Sequence, residues 1–405
     1  MIMKVLLVNK FHFRKGGSET YYFTLAELLK KKGHEVIYFS IDDERNFECD
    51  DSKYFIKNTG LTGGIVGKFR MLKNMNYSKE AYENIKKEIN AEKPDLAILN
   101  LVHKQISLSI VDALKENNVP IFWTVHDLIF VCPSYTMLDG NGHICEKCLN
   151  GDFANCLKNK CIHGSTLYSL LSYREAKFIK KHKFYDDIDC FICPSEFYKQ
   201  KLQSSNLINS NVVYLPNPCL NAPVSEVNKN PKDYLLYFGR LSKEKGVDLL
   251  LNSICDKNIN LVIAGDGPMK SELMLLCDKL NLTSKVKFVG FKQGEELTSL
   301  IKESKFVILP SQWYENGPYS AIEALSFGKP LIVSSFGGLP ELINGNGFIF
   351  KNSSELDEIL NKIISISEEE YVNLCLNSLN KYKSTYYNFD YVQAIVNLYE
   401  EVKSK

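Results

Sequence analysis

"KFVILPSQWYENGPYSAIEALSFGKP", residues 305–330, opens as a strand, breaks at Pro310 and resumes as a helix around Pro318. The run from Lys305 to Pro310 is apolar enough to be buried on both faces, as strands of parallel sheets are. Proline suits the first position of a helix, so the spacing predicts a helix beginning at Pro318. Strand, polar loop and helix in that order form the repeating unit of a doubly wound α/β sheet. Glu315 falls in the loop and Glu323 in the second helical turn. Carboxylates are seldom buried unless something meets them.

The same alternation runs outward in both directions. In the second half it recurs at 234–240, 260–267, 286–290, 330–335 and 347–350, and in the first half at 4–9, 35–40, 95–100, 121–126 and 189–195. Between them "VVYLPNPCLNAPVSEVNKNPKD" (212–233) has four prolines and four asparagines and no helical period, so it reads as a linker. The expected organisation is an N-terminal Rossmann-like domain over 1–211, a linker over 212–232, and a second domain over 233–385. A last helix over 386–405 carries an apolar stripe of Val392, Ile395, Val396, Tyr399 and Val402 that should pack on a surface. In such sheets ligands bind beyond the carboxyl ends of the strands, and two facing sheets would make an interdomain cleft.

Composition narrows the function classes. A length of 405 residues exceeds one ordinary core, and 45% hydrophobic with 24% charged residues is a globular balance. A formal net charge of +1 provides no global field for nucleic acid. The opening "MIMKVLLVNKFHF" has too short an apolar run for a signal peptide, and no stretch reaches the 18 apolar residues of a membrane span. A cytoplasmic protein is expected, with its twelve cysteines reduced or metal-bound.

The motifs follow strands. In "YFGRLSKEKGVDLLL" (237–251), Arg240 and Lys245 put two cations at a strand end ahead of a helix, which suits a diphosphate as well as a solvated loop. In "AGDGP" (264–268), Gly265 opens a second post-strand glycine loop of a kind that tight turns also use. Gly16 and Gly17 separate the first strand from the first helix, where backbone N–H groups can meet a phosphate; a structural turn fits equally. His126 ends the strand "FWTVH" and Asp127 follows it; a lone histidine is more often structural than functional, and this place at a carboxyl strand end beside an aspartate narrows that margin. Glu323 lies five residues past Pro318, a rise of about 7.5 Å, comparable to the step from a diphosphate to a ribose. An acceptor-only carboxylate can grip vicinal hydroxyls. The layout therefore suits a nucleotide sugar, with the anion at the helix start, the ribose diol on Glu323 and sugar hydroxyls on Glu315.

Three features stand apart. Residues 126–165 pack five cysteines and two further histidines into one connection; Cys145, Cys148, Cys156 and Cys161 can be read as a structural zinc or iron–sulfur site or as reduced thiols, with Cys132, His143 and His163 as substitutes. "DDID" (186–189) has the DxD spacing of metal-dependent transferases, but it precedes a strand at its amino end and reads as a solvated turn. "REAKFIKKHKF" (174–184) and "GKFRMLKNMNYSKEAYENIKK" (67–87) interleave bases with apolar residues, so they read either as solvated helix faces or as contacts to an anionic leaflet.

Taken together, "KGGSE", "HD", "PSEF", "FGRLSKEKG" and "ENGPYSAIEALSFGKP" resemble glycosyltransferase family 4, retaining nucleotide-sugar-dependent enzymes of the GT-B fold. The E-x7-E of the last segment is the most specific piece, and the resemblance covers nearly the whole chain. It implies that Arg240 and Lys245 hold the donor diphosphate, Glu323 the ribose and Glu315 the transferred sugar. It also implies that Asn316 and Gly317 contact sugar or phosphate, that Gly16 and Gly17 meet the phosphates from the opposite wall, and that His126 lies beside the sugar. His126, Glu315, Arg240 and Lys245 are the catalytic candidates. No cofactor is expected for catalysis, and no dedicated carboxylate base either, because the departing phosphate can take the acceptor proton. The donor is expected to be a UDP- or GDP-sugar and the acceptor a saccharide or lipid-linked saccharide of a bacterial surface polysaccharide. The last helix is expected to cross back to the N-terminal domain, and the insertion at 131–164 to shape the acceptor side. A nucleotide-sugar epimerase and a catalytically silent sugar-nucleotide-binding subunit are the rivals; the two motifs of the second half disfavour the first, and the intact donor positions the second.

Overall fold

The computed structural model describes residues 1–58 and 74–404. The chain forms two compact units, Met1–Pro218 with Asp390–Lys405, and Cys219–Phe389.

The first unit has strands β1 (Lys4–Val8), β2 (Glu35–Phe39), β3 (Ile41–Asp42), β4 (Ile56–Lys57), β5 (Leu96–Leu99), β6 (Ile121–Thr124), β7 (Cys190–Cys193) and β8 (Asn211–Tyr214). Six of them make one sheet in the order β2-β1-β5-β6-β7-β8, parallel throughout, and β3 pairs with β4 apart from it. The second unit holds β9 (Leu235–Phe238), β10 (Leu261–Ala264), β11 (Val286–Gly290), β12 (Phe306–Leu309), β13 (Leu331–Ser334) and β14 (Gly347–Phe350). Their order is β11-β10-β9-β12-β13-β14, again all parallel. Successive strand residues point to opposite faces. Leu235, Tyr237, Leu261, Ile263, Phe306 and Ile308 therefore enter one core, and Leu236, Phe238, Val262, Ala264, Val307 and Leu309 enter the other. A sheet covered on both faces needs such continuous apolar runs.

Five helices position the features of interest: α1 (Gly17–Lys31), α2 (Thr166–His182), α3 (Val247–Ser253), α4 (Tyr319–Ser326) and α5 (Tyr391–Lys403). Helix α1 ends where Gly33 takes φ +85° and its N–H bonds the Lys30 carbonyl at 3.0 Å. Helix α5 buries Tyr391, Val392, Ile395, Val396 and Tyr399. The Tyr391 and Tyr21 hydroxyls meet at 2.7 Å, and Lys32 pairs with Asp390. The last helix thus belongs to the first unit.

One expectation is corrected. Residues 211–214 form β8 where the sequence suggests the linker has begun, and the units divide after Pro218. The prolines and asparagines that signal a linker start only at Pro216, while Val212 and Val213 ahead of them satisfy an edge strand.

Candidate active site

The second sheet reverses direction between β9 and β12, giving the strand order 3-2-1-4-5-6. Loops leaving the two strands at such a switch point diverge and open a crevice at their carboxyl ends. Arg240 and Lys245 follow β9, and Ser311 to Glu315 follow β12. The walls are fixed by backbone. The Gln312 N–H bonds the Glu244 carbonyl at 2.7 Å, and a Cβ on Gly246 would stand 2.1 Å from the Pro310 oxygen. On the far side Gly338 N–H bonds the Glu315 carbonyl at 2.7 Å. Gly337, at φ +68°, would put a Cβ 2.2 Å from that same oxygen, so only glycine lets the Glu315 backbone lie there.

Inside the crevice the Lys245 ammonium donates to Glu315 Oε1 at 2.6 Å, and the Ser311 hydroxyl donates to the same oxygen at 2.6 Å. Burial by itself pushes the Glu315 pKa up. Lys245 through its charge and hydrogen bond, then Ser311 and Trp313, outweigh it and leave the pKa below the ordinary value. The Trp313 ring lies beneath the Lys245 ammonium, 5.2 Å from it. Lys245, expected on a diphosphate, is thus already engaged by Glu315. Arg240 is exposed, and its guanidinium meets no acceptor among the described residues; its carbonyl is held by the Tyr237 hydroxyl at 2.7 Å.

Pro318 is the cap residue of α4 rather than its first helical residue, because its ψ of 131° is extended. No side chain caps this helix start, and Asn316 and Gly317 lead into it half-buried. Glu323 is half-buried on α4, and burial alone pushes its pKa up to about 7, with no cation to oppose it. Gly265 has a packing role: a Cβ would stand 1.9 Å from the Gly239 oxygen, and its N–H is spent on the Gly290 carbonyl at 2.8 Å.

In the first unit the sheet turns between β1 and β5. Gly17 opens α1, and Gly16 precedes it in extended backbone with no side-chain cap. A Cβ on Gly16 would meet nothing closer than Glu19 at 3.7 Å, so the fold does not demand glycine there. His126, just past β6, sets Nε2 2.8 Å from Asn100 Oδ1. The Asn100 amide N–H donates to the Val8 carbonyl, which fixes Oδ1 toward the ring. Nε2 therefore carries the proton and Nδ1 keeps its lone pair. Burial pushes the imidazole pKa down to about 3, so the ring is neutral. Burial raises the neighbouring Asp127 to about 6.

Cys145, Cys148, Cys156 and Cys161 all carry free thiols. Cys148 and Cys156 form a small core with Phe153, and Cys161 packs on it. Among the described residues no three histidine, cysteine, aspartate or glutamate side chains stand in an arrangement that could hold a metal ion. Of the "DDID" pair, Asp187 binds Lys115 and Asp189 Oδ2 accepts the Ile121 N–H at 2.7 Å, so both carboxylates have local work. Residues 67–73 of the basic segment 67–87 lie outside the described residues; residues 174–182 of the other form the C-terminal half of α2. No helix among the described residues is long and apolar enough to cross a membrane.

Ser311, Trp313 and Asn100 were not singled out by sequence reasoning. Each follows a strand end, so the rule that found Arg240 and His126 could have found them; their residue types carry no charge to attract notice.

Residues 15–219 match the model of Glycosyltransferase Family 4, and residues 221–385 that of Glycosyl transferases group 1. An uncharacterized glycosyltransferase of Methanocaldococcus jannaschii is 26% identical over 257 residues, covering 61% of this chain and 71% of that relative. Of three other matched transferases the chain spans 44%, 29% and 26%. Among solved structures, sucrose-phosphate synthase from Thermosynechococcus elongatus superposes with a TM-score of 0.70 at 16% identity over 99% of both chains. Anabaena HepE in complex with UDP and glucose gives 0.65 at 17% identity over all of both chains. With both halves matched, and parallel sheets that carry the motifs at their switch points, this chain belongs to glycosyltransferase family 4 and is a transferase of the GT-B fold.

Proposed function

We propose that the chain is a retaining, metal-independent transferase that takes a sugar from a UDP- or GDP-sugar donor held chiefly by the second unit. The observation that carries this reading is the ion pair between half-buried Lys245 and buried Glu315 at the β9/β12 crevice, together with the Arg240 guanidinium after β9 and the Glu323 carboxylate on α4, neither of which is ion-paired among the described residues. Arg240 binds the diphosphate, and Lys245 neutralises charge as the nucleoside diphosphate departs. Glu323 accepts from the ribose hydroxyls, and Glu315 orients the sugar. Asn316 and Gly317, at the start of α4, are assigned to contact with sugar or phosphate. In the first unit the start of α1 at Gly16 and Gly17 is assigned to phosphate. His126 Nδ1 is assigned to a sugar hydroxyl as an acceptor, because a neutral ring cannot serve as a standing acid. Fixed charges aimed at a developing anion are worth about 10²–10³ in rate each. HepE, bound to UDP and glucose, lends support to a UDP donor.

The acceptor is assigned as a saccharide or lipid-linked saccharide of surface polysaccharide assembly, met at the inner face of the membrane. Supporting this, α2 exposes Leu167 and Tyr168 and turns Arg174, Lys177 and Lys181 outward. Each such base is worth about 1 kcal/mol against an anionic leaflet. A zinc or iron–sulfur centre in the cysteine insertion remains a proposal that metal analysis of the purified chain decides. The donor reading is tested by incubating the protein with UDP-, GDP- and ADP-sugars and measuring nucleotide release. Release from one uridine or guanosine donor is expected; release from none, with or without saccharide acceptors, would reject it.

A further inference from the structure

Behind the carboxyl end of β6 the first unit encloses a cavity of about 190 Å³. Its wall begins at Ile129 and Phe130, three and four residues beyond His126. Phe130, Phe153, Ile179 and Tyr185 line its interior, and all four are buried. Phe130 and Tyr185 lie 5.2 Å apart in an aromatic cluster with Trp123 and Phe191. An apolar cavity of roughly 150 Å³ already holds a benzene-sized guest. The volume here admits a short hydrocarbon segment.

The one acid inside is Glu175, which is 4% exposed. Burial pushes its carboxyl up to about 7 against the opposing charge and N–H of Lys104. Ser172, Asn206 and Asn209 also line the cavity, so its apolar part is the wall formed by Phe130, Phe153, Ile179 and Leu207. The mouth is different. Lys180 and Lys183 are both exposed at it, beside Asp186. The Lys180 ammonium is seated over the turn at Gly151, where a Cβ would come within 2.4 Å of it. Asp186 is occupied by the Asn209 amide at 3.0 Å. Arg174, Lys177, Lys180, Lys181 and Lys183 make no ion pair among the described residues, whereas lysines elsewhere in this unit, such as Lys4, Lys86 and Lys201, do. A cavity with an aromatic and aliphatic wall and a cationic mouth is complementary to one chemical class.

We propose that this cavity binds an anionic amphiphile, with its hydrocarbon chain among Phe130, Phe153 and Ile179 and its phosphate at Lys180 and Lys183. The proposal deepens the acceptor side of the reading above by naming a phosphate-bearing lipid as the acceptor class. It does not depend on the donor crevice. Helix α2 serves both purposes: it walls the cavity with Ala176 and Ile179 and presents its bases outward.

The test titrates the full chain, without nucleotide sugar, with hexyl, octyl, decyl and dodecyl phosphate below their critical micelle concentrations, by calorimetry. One saturable site is expected, tightening by about fourfold per methylene until the chain outgrows the cavity. Inorganic phosphate should bind at least about a hundredfold more weakly than dodecyl phosphate, and a neutral alkyl maltoside about tenfold more weakly. Ala176→Trp, which fills the chamber, should cost about tenfold or more. Lys180→Glu with Lys183→Glu, confined to the surface and so safe for folding, should cost a similar factor and remove the salt dependence. Binding that ignores chain length, inorganic phosphate binding as well as dodecyl phosphate, or the charge-reversed variant binding as well as the parent would each overturn the proposal. If no alkyl phosphate binds while nucleotide release persists, the cavity assignment falls and the transferase reading stands.

Discussion

Lys245→Met keeps most of the side-chain stem of residue 245 but removes the cation that holds Glu315 ionised. At 2.6 Å and an effective dielectric constant near 20, the pair attracts by about 6 kcal/mol before desolvation is counted. Removing one member of a buried pair typically costs about 3–5 kcal/mol, because the other charge stays behind. Ser311 remains to donate one hydrogen bond, so the lower end, about 3 kcal/mol, is expected at pH 7. For a unit of this size that is a fall in melting temperature of roughly 6–12 °C.

The pH dependence has a definite sign. In the parent protein the Glu315 pKa lies below its unfolded value of 4.5, so its contribution is present above pH 4.5 and fades as pH falls through the folded value. In Lys245→Met burial dominates and the folded pKa rises above 4.5, so stability is lost as pH climbs through it. The gap between the two proteins should therefore widen from pH 4.5 to pH 7, and thermal melts followed by circular dichroism across that range measure it. Adding Glu315→Gln to Lys245→Met should recover much of the loss while activity stays low. A Lys245→Met protein melting within about 2 °C of the parent at pH 7 would refute the reasoning.

Arg240→Ala should melt with the parent, since its exposed guanidinium makes no ion pair among the described residues, yet lose about 10²–10³ in kcat/KM for the donor; Arg240→Lys should recover little, because one ammonium cannot reproduce a bidentate grip. Glu323 titrates near pH 7, and the ionised form is the one that accepts from a diol. The donor KM should thus fall as pH rises through about 7, a dependence that Glu323→Gln flattens and initial-rate profiles would reveal. Nitrogen-15 spectra of His126 should show a neutral ring protonated on Nε2 from pH 8 down to pH 5, whereas Asn100→Leu should release that tautomer preference.

How much of this was legible beforehand follows from which interactions are local. The runs 305–310 and 330–335 contain β12 and β13, buried at every residue, because a doubly covered sheet writes itself as uninterrupted apolar residues. Arg240, Lys245, Glu315 and Glu323 could be picked out as charges at strand ends. Their partnership could not. Lys245 and Glu315 are seventy residues apart in sequence, and only the order β9-β12 in the sheet brings their loops together. Gly265 shows the opposite failure. Its sequence context suggests a ligand loop, but the close approach of the Gly239 backbone explains it without a ligand. Gly16 carries the reverse lesson, since the fold leaves room for a side chain there. The edge strand β8 was hidden because its four residues abut the proline-rich connection.

The most direct test is a crystal structure of the full chain soaked with the nucleotide sugar that supports release. The diphosphate should lie within hydrogen-bonding reach of Arg240 and Lys245, with the ribose on Glu323 and the sugar against Glu315. A donor bound at any other place, leaving those four side chains untouched, would contradict the account.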